Sequence, residues 1–321
     1  MRRTVAAVLA ASVLAAGLAG ASSAAPARPP LRCTGTGRVR SCTVFTTLKV
    51  RSNAVRVVLP ASYRPGRRYP VVYVLHGVGD DETSWTDPKR GDLAALTATC
   101  EAIFVTPDGG SGRVAGWYSD WQDGSYDWER YHVEDLRLGV EATFGTTGRR
   151  AVAGLSMGGF GAMSYAARNP SLYRAAASYS GFLDTMFAAP ATGAFYDASG
   201  QNDVYSTGAP SRGVWGDQQA DAATWRAHNP WDLVPSLRHT ALYVSGGTGV
   251  AAPSAPATAP MNAVEAYTRT LTDRFVARLD EAGIPYTDGR YDGGSHEWPY
   301  WRAAFTDSLR VLMPAVGARP C

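Results

Sequence analysis

Gly154-Leu155-Ser156-Met157-Gly158 sets one serine between two glycines, each two residues away. That spacing suits a very tight strand-to-helix turn, where a side chain at either glycine would clash and the hydroxyl is lifted clear of a sheet. At the N-terminus of the following helix, the hydroxyl would sit where developing negative charge is favoured. The five-residue pattern is common by itself, but its setting is specific. Apolar Ala151-Val152-Ala153 precedes it, and Gly159 after it allows close helix packing. Ser156 is the candidate nucleophile.

A serine hydroxyl needs a base, and the base needs an acid to orient it. On a strand–turn–helix site the chain order is serine, acid, histidine. Three histidines follow Ser156. His239 directly precedes a strand start, the wrong edge for catalysis, and His228 lies in an irregular stretch. His296 follows Asp292-Gly293-Gly294-Ser295, a flexible loop after the last strand, and is the candidate base. The residues leave the acid open. The loop after 240–247 holds no carboxylate. Glu265 opens a long helix, where an acidic residue is also explained by the helix dipole, worth about 0.3–1 kcal/mol. Asp273, Asp288 and Asp292 stand behind it. The oxyanion of an acyl-transfer intermediate needs two backbone N–H donors. Met157 supplies one, and Val78, in the loop after 69–77, is expected to supply the other.

The elements that must carry these groups alternate. Residues 42–50 and 54–60 are β-rich and read as an antiparallel pair at a sheet edge. Residues 69–77, 101–110 and 149–156 are continuous apolar runs, as befits strands buried on both faces. Further strands are expected over 172–181, 240–247 and 284–296. Helical spacing marks 133–145, 157–170, 262–283 and 297–313. In the third of these Val264, Tyr267, Leu271, Phe275 and Leu279 form one face, and Gly283 stops it. Strands alternating with helices imply a mostly parallel α/β sheet with helices on both faces. Residues 182–238 break the rhythm, after the sixth expected strand, and read as an insertion that could wall or cover a pocket. One domain over 42–321 is expected, after an exposed lead-in over 28–41.

Residues 1–27 have a basic start, an Ala/Val/Leu run and a small-residue end, the pattern of a secretory signal. Its removal takes the formal net charge from +3 to +1. Nothing in that balance suits nucleic acid, and no later stretch approaches the length needed to span a bilayer. A secreted, extracellular protein follows. Cys33, Cys42, Cys100 and Cys321 are an even set in an exported chain, which points to disulfides. Cys33–Cys42 would close a short Gly-containing loop, and Cys100–Cys321 would staple the C-terminus to the body. No metal-like spacing is present, and no cofactor or metal is expected. Trp85, Trp117 and Trp121, with Tyr118, Tyr126 and Trp128, either line an acyl, aryl or sugar pocket or pack loops against the sheet. His76 begins the oxyanion loop and either shapes it or borders the pocket.

The chain resembles a family of α/β-hydrolases that includes S-formylglutathione hydrolases, feruloyl esterases and the mycolyltransferases known as antigen 85. The resemblance runs from about 55 to 312. It is carried broadly by Gly154-Leu155-Ser156-Met157-Gly158-Gly159. More specific to the mycolyltransferases are Tyr118-Ser119-Asp120-Trp121, the stretch 225–249, and Ser295-His296-Glu297-Trp298-Pro299-Tyr300-Trp301. That branch takes its acid from a glutamate early in the helix after the seventh strand, and counting back from Gly283 puts it on Glu265. Its Asp-Gly-Leu-Arg loop, which helps hold trehalose, is replaced here by His76-Gly77-Val78-Gly79, the form of ordinary esterases in the family. The resemblance implies hydrolysis of a small-molecule ester, with a lipid or aryl ester within range. Acyl transfer to a sugar or glycerol alcohol is the alternative. A non-catalytic wall- or matrix-binding protein on the same scaffold is the third reading.

Overall fold

The computed structural model describes residues 29–111, 115–187, 212–250, 259–319 and 321. The expected signal segment and residues 188–211 of the expected insertion lie outside them. One nine-stranded sheet, in the order β1-β2-β3-β5-β4-β6-β7-β8-β9, organises the described residues. Strands β1 (Arg32–Thr34), β2 (Val39–Thr43) and β3 (Ala54–Val58) form an antiparallel edge. From β5 (Ile103–Pro107) outward, β4 (Tyr69–Leu75), β6 (Thr146–Leu155), β7 (Ala175–Tyr179), β8 (Ala241–Ser245) and β9 (Thr287–Asp288) are all parallel. Every residue of β4, β5 and β7 is buried. That is why these runs are apolar throughout, since a parallel sheet is covered on both faces.

One face carries α3 (Arg137–Phe144), α4 (Met157–Arg168) and α8 (Ala259–Glu281), and the other α1 (Leu93–Leu96) and α9 (Trp298–Ala315). The helix expected from 133 begins earlier, with α2 (Trp128–Arg130), and runs through a π turn at Tyr131–Leu136 into α3. Helix α8 also begins earlier than its pattern suggests. Glu265 therefore lies beyond the first turn, where the dipole explains little. Leu271, Phe275 and Leu279 are buried as expected, but the buried stripe is shifted to include Glu265, Thr268 and Thr272 while Val264 stays half-buried. Gly283 ends the helix at φ +64°, a conformation that only glycine adopts without strain. In the described parts of 182–238 the chain forms α5 (Arg212–Trp215), α6 (Ala222–His228) and α7 (Pro230–Leu233), with no strand. Trp215 packs this region onto Phe160 of α4 at 5.3 Å between ring centroids.

The N-terminal edge differs from expectation. Residues 28–41 are not simply an exposed lead-in, because they supply β1 and most of β2, and residues 44–50 leave the sheet. The cause is local. Cys33 and Cys42 are directly opposed across the strand pair and joined as a disulfide. The Arg38 guanidinium then ties the hairpin to the body through the Leu59, Ala94 and Thr97 carbonyls at 2.7–2.9 Å.

The second disulfide joins Cys100 to Cys321. The two pairings are those favoured from the sequence, and they should contribute unequally. Cys100–Cys321 closes 221 residues against 9 for Cys33–Cys42, and the entropic gain grows with loop length, to about 5 kcal/mol for a loop this long. Replacing Cys100 and Cys321 by serine is expected to lower the thermal midpoint by several degrees, and more than the Cys33/Cys42 pair does. Equal shifts in calorimetry would contradict this ordering.

Candidate active site

The C-terminal ends of the parallel strands deliver the site. Ser156 follows β6 directly with φ +54° and ψ −120°, a strained conformation for a residue with a side chain. The glycines around it are required by contact. A Cβ on Gly154 would stand 2.3 Å from the Gly158 carbonyl oxygen, and one on Gly158 2.5 Å from that of Leu75. The Ser156 N–H donates to the Tyr179 carbonyl at 2.9 Å, which locks the turn to β7.

Ser156 Oγ lies 2.9 Å from His296 Nε2, and His296 Nδ1 lies 2.9 Å from Glu265 Oε2. All three residues are buried, with Ser156 7%, His296 8% and Glu265 0% exposed. Of the four candidate acids, Glu265 is in contact with His296. The other three carboxylates are not. Asp273 pairs with Arg269 and Arg290, Asp288 pairs with Arg290, and Asp292 is exposed. The remaining oxygen of Glu265 accepts from Ser180 Oγ at 2.9 Å, the Gly247 N–H at 2.6 Å and the Tyr291 hydroxyl at 3.4 Å. Gly247 belongs to the strand-end loop that carries no carboxylate of its own. Instead it turns an amide toward a carboxylate reaching in from α8. Trp301 of α9 donates its indole N–H to Ser180 Oγ and sets its ring edge-on to the His296 imidazole at 4.9 Å between centroids. Ser180 and Tyr291 were not singled out by sequence reasoning, and Gly247 and Trp301 entered only as members of motifs, because hydrogen bonds to a carboxylate have no spacing signature.

Met157 opens α4, so its N–H has no intrahelical acceptor. The loop after β4 passes beside Ser156, since a Cβ on Gly77 would stand 2.8 Å from Leu155 Cδ1 and 3.4 Å from Ser156 Cβ. Val78 is the next residue. His76 does not border a pocket. It is 1% exposed, Nε2 accepts from the Gly109 N–H at 2.8 Å, and Nδ1 donates to the Gly77 carbonyl at 2.8 Å. The ring is thus spent on shaping the loop, with Nε2 also 3.5 Å from Asp108 Oδ1, whose charge outweighs burial and shifts the imidazole upward. Tyr118 holds the same loop by donating to the His76 carbonyl at 3.0 Å. The three tryptophans offered as pocket residues serve packing. Trp85 lies under α9 against Trp298 and Phe305, and Trp117 is enclosed by Phe160, Phe182 and Trp215. Trp121 packs on Tyr126 and donates to the Gly116 carbonyl.

Two further histidines are buried away from the serine. His132 bonds the Asp108 carbonyl and the Tyr165 hydroxyl, and His228 stacks on Trp215. Burial pushes His132 down to about 4 and, with help from Arg168, His228 down to about 3. Both are neutral when folded, but they take up protons when unfolded near pH 6.5. Stability is therefore present above about pH 6.5 and is lost as pH falls toward 4, by about 1.4 kcal/mol per pH unit for each histidine. Denaturant midpoints are expected to fall between pH 7 and 5, and His228→Gln should flatten that slope. An unchanged slope would contradict the assignment.

Residues 49–312 match the family model described as "Putative esterase". The chain belongs to this esterase family. Esterase Rv1288 of Mycobacterium tuberculosis is 36% identical over 83% of this chain and 56% of its own length. The chain therefore spans just over half the length of that relative. The diacylglycerol acyltransferase/mycolyltransferase Ag85C of Mycobacterium avium is 27% identical over 75% of this chain and 70% of its own. Among solved structures, a ferulic acid esterase superposes with a TM-score of 0.65 at 23% identity, covering 87% of this chain and 98% of that one. The fold of this esterase-family member is thus the α/β-hydrolase fold, with an open mixed sheet and helices around it.

Proposed function

We propose that this chain is a secreted carboxylic ester hydrolase in which Ser156, His296 and Glu265 act as nucleophile, base and orienting acid. The observation that carries the proposal is the unbroken chain of two 2.9 Å contacts from Ser156 Oγ through His296 to a fully buried carboxylate. His296 Nε2 takes the Ser156 proton as Oγ bonds to the ester carbonyl carbon. The carbonyl electron pair moves to oxygen, which the Val78 and Met157 N–H groups receive. Collapse restores the carbonyl and expels the alcohol, which carries away the proton from His296. Water then adds by the same proton transfer and releases the acid. Glu265 keeps the Nδ1 proton facing itself and stabilises the imidazolium.

Acyl transfer is the second reading, favoured by the relative named as an acyltransferase. Hydrolysis leads because His76-Gly77-Val78-Gly79 lacks the charged residues that the mycolyltransferase loop carries. The signal-like first 27 residues and the two disulfides support export, and no described helix is long and apolar enough to cross a membrane. The test is turnover of p-nitrophenyl esters of increasing chain length, with and without trehalose or glycerol. Free acid as the main product in both conditions is expected. Acyl-sugar or acyl-glycerol in excess of free acid would overturn hydrolysis, and no turnover at all would overturn the enzyme reading.

A further inference from the structure

Glu265 is fully buried, and Tyr291, which touches its Oε1, is half-buried. The Tyr291 ring lies nearly parallel to that of Tyr300, with centroids 6.0 Å apart at 10°. It also occupies space that two glycines leave free. A Cβ on Gly247 would stand 2.7 Å from Tyr291 Cε2, and one on Gly294 2.6 Å from the same atom. Gly247 lies in the loop that donates its amide to Glu265, and Gly294 lies two residues before His296. One ring therefore packs against the acid, the loop that holds the acid, and the loop that carries the base. Its backbone is pinned as well, with the Tyr291 N–H on the Gly246 carbonyl at 3.2 Å and Arg269 Nη1 on the Tyr291 carbonyl at 3.0 Å.

We propose that Tyr291 is a positioning residue that spaces the two loops, keeps water from the Glu265 carboxylate and takes part of its hydrogen-bonding capacity. This rests on the catalytic reading of Ser156, His296 and Glu265. Burial and the nearby Glu265 charge push the phenol well above its ordinary range, so it remains a donor. The other polar and charged groups around the pair have partners. Ser180 and Gly247 donate to Glu265, Arg269 pairs with Asp273, and Glu297 accepts from Ser295, while Asp292 faces solvent.

Two substitutions separate the ring from the hydroxyl. Tyr291→Phe keeps the wedge and removes one donor. The carboxylate then holds the imidazolium more strongly, so the acid limb of kcat/KM moves to higher pH, with kcat within about threefold of wild type. Tyr291→Ala admits water, which screens the carboxylate from the imidazolium. The acid limb then moves to lower pH, and kcat falls about 10–100-fold with KM nearly unchanged. The far-downfield proton resonance of His296 Nδ1–H, present in wild type and in Tyr291→Phe, should be lost to exchange in Tyr291→Ala. Acid limbs that coincide with wild type in both variants would overturn the proposal. So would an alanine effect confined to KM, or a retained resonance in a folded Tyr291→Ala. If wild type neither turns over esters nor reacts with a fluorophosphonate, the catalytic reading itself fails.

Discussion

Ser156→Ala is expected to lower kcat/KM on activated esters by at least about 10⁴-fold while leaving the fold intact. The loss is large because no other group occupies its place. Ser156 Oγ is the oxygen in contact with His296 Nε2 at 2.9 Å, held there by the strained turn after β6. Residual rate would come from the two amides of the oxyanion site, which remain. The fold should survive because the turn's own bond, from the Ser156 N–H to the Tyr179 carbonyl, involves only backbone. Near-wild-type turnover in a folded Ser156→Ala protein would rule out Ser156 as the nucleophile.

Glu265→Gln should cost about 10³–10⁴-fold in kcat, and the reason is the direction of its hydrogen bonds. Oε1 accepts from three donors, namely Ser180, the Gly247 amide and Tyr291. A glutamine must present its carbonyl oxygen to those three, so its NH₂ faces His296 Nδ1. That amide would donate where the carboxylate accepts, leaving the proton on Nε2, where it cannot take up another from Ser156. Space and packing barely change, so stability should hold. Asp292→Asn, at an exposed carboxylate only four residues from the base, should leave turnover within about twofold. The reverse ranking, measured on purified folded variants, would mean that the acid is misassigned.

The parts of this site that sequence could supply are those governed by steric rules. A Cβ on Gly154 or Gly158 would stand 2.3–2.5 Å from backbone atoms, so the turn allows no side chain, and such a constraint leaves a readable spacing. The continuous apolar runs of β4, β5 and β7 are readable for a similar reason, since burial on both faces excludes polar residues. Glu265 was ambiguous because an acidic residue near a helix start has an ordinary electrostatic explanation. Resemblance, not periodicity, widened its lead over Asp273, Asp288 and Asp292. Its second-turn position on α8 removes that ordinary explanation. The tryptophans were left open between pocket and packing for a different reason. Aromatic rings suit a pocket and a core equally well, and composition carries no direction. Only packing places Trp85 under α9 and Trp117 among Phe160, Phe182 and Trp215. The edge hairpin was hidden because three exposed residues, Arg32–Thr34, form a strand only through their pairing with β2.

The most direct test of the central claim is reaction with a fluorophosphonate followed by peptide mass spectrometry. The phosphonyl group is expected on Ser156, at one equivalent per chain, with labelling abolished in Ser156→Ala and strongly slowed in Glu265→Gln. A label on another residue, or no label in a protein that still cleaves esters, would contradict a serine nucleophile activated through His296 and Glu265.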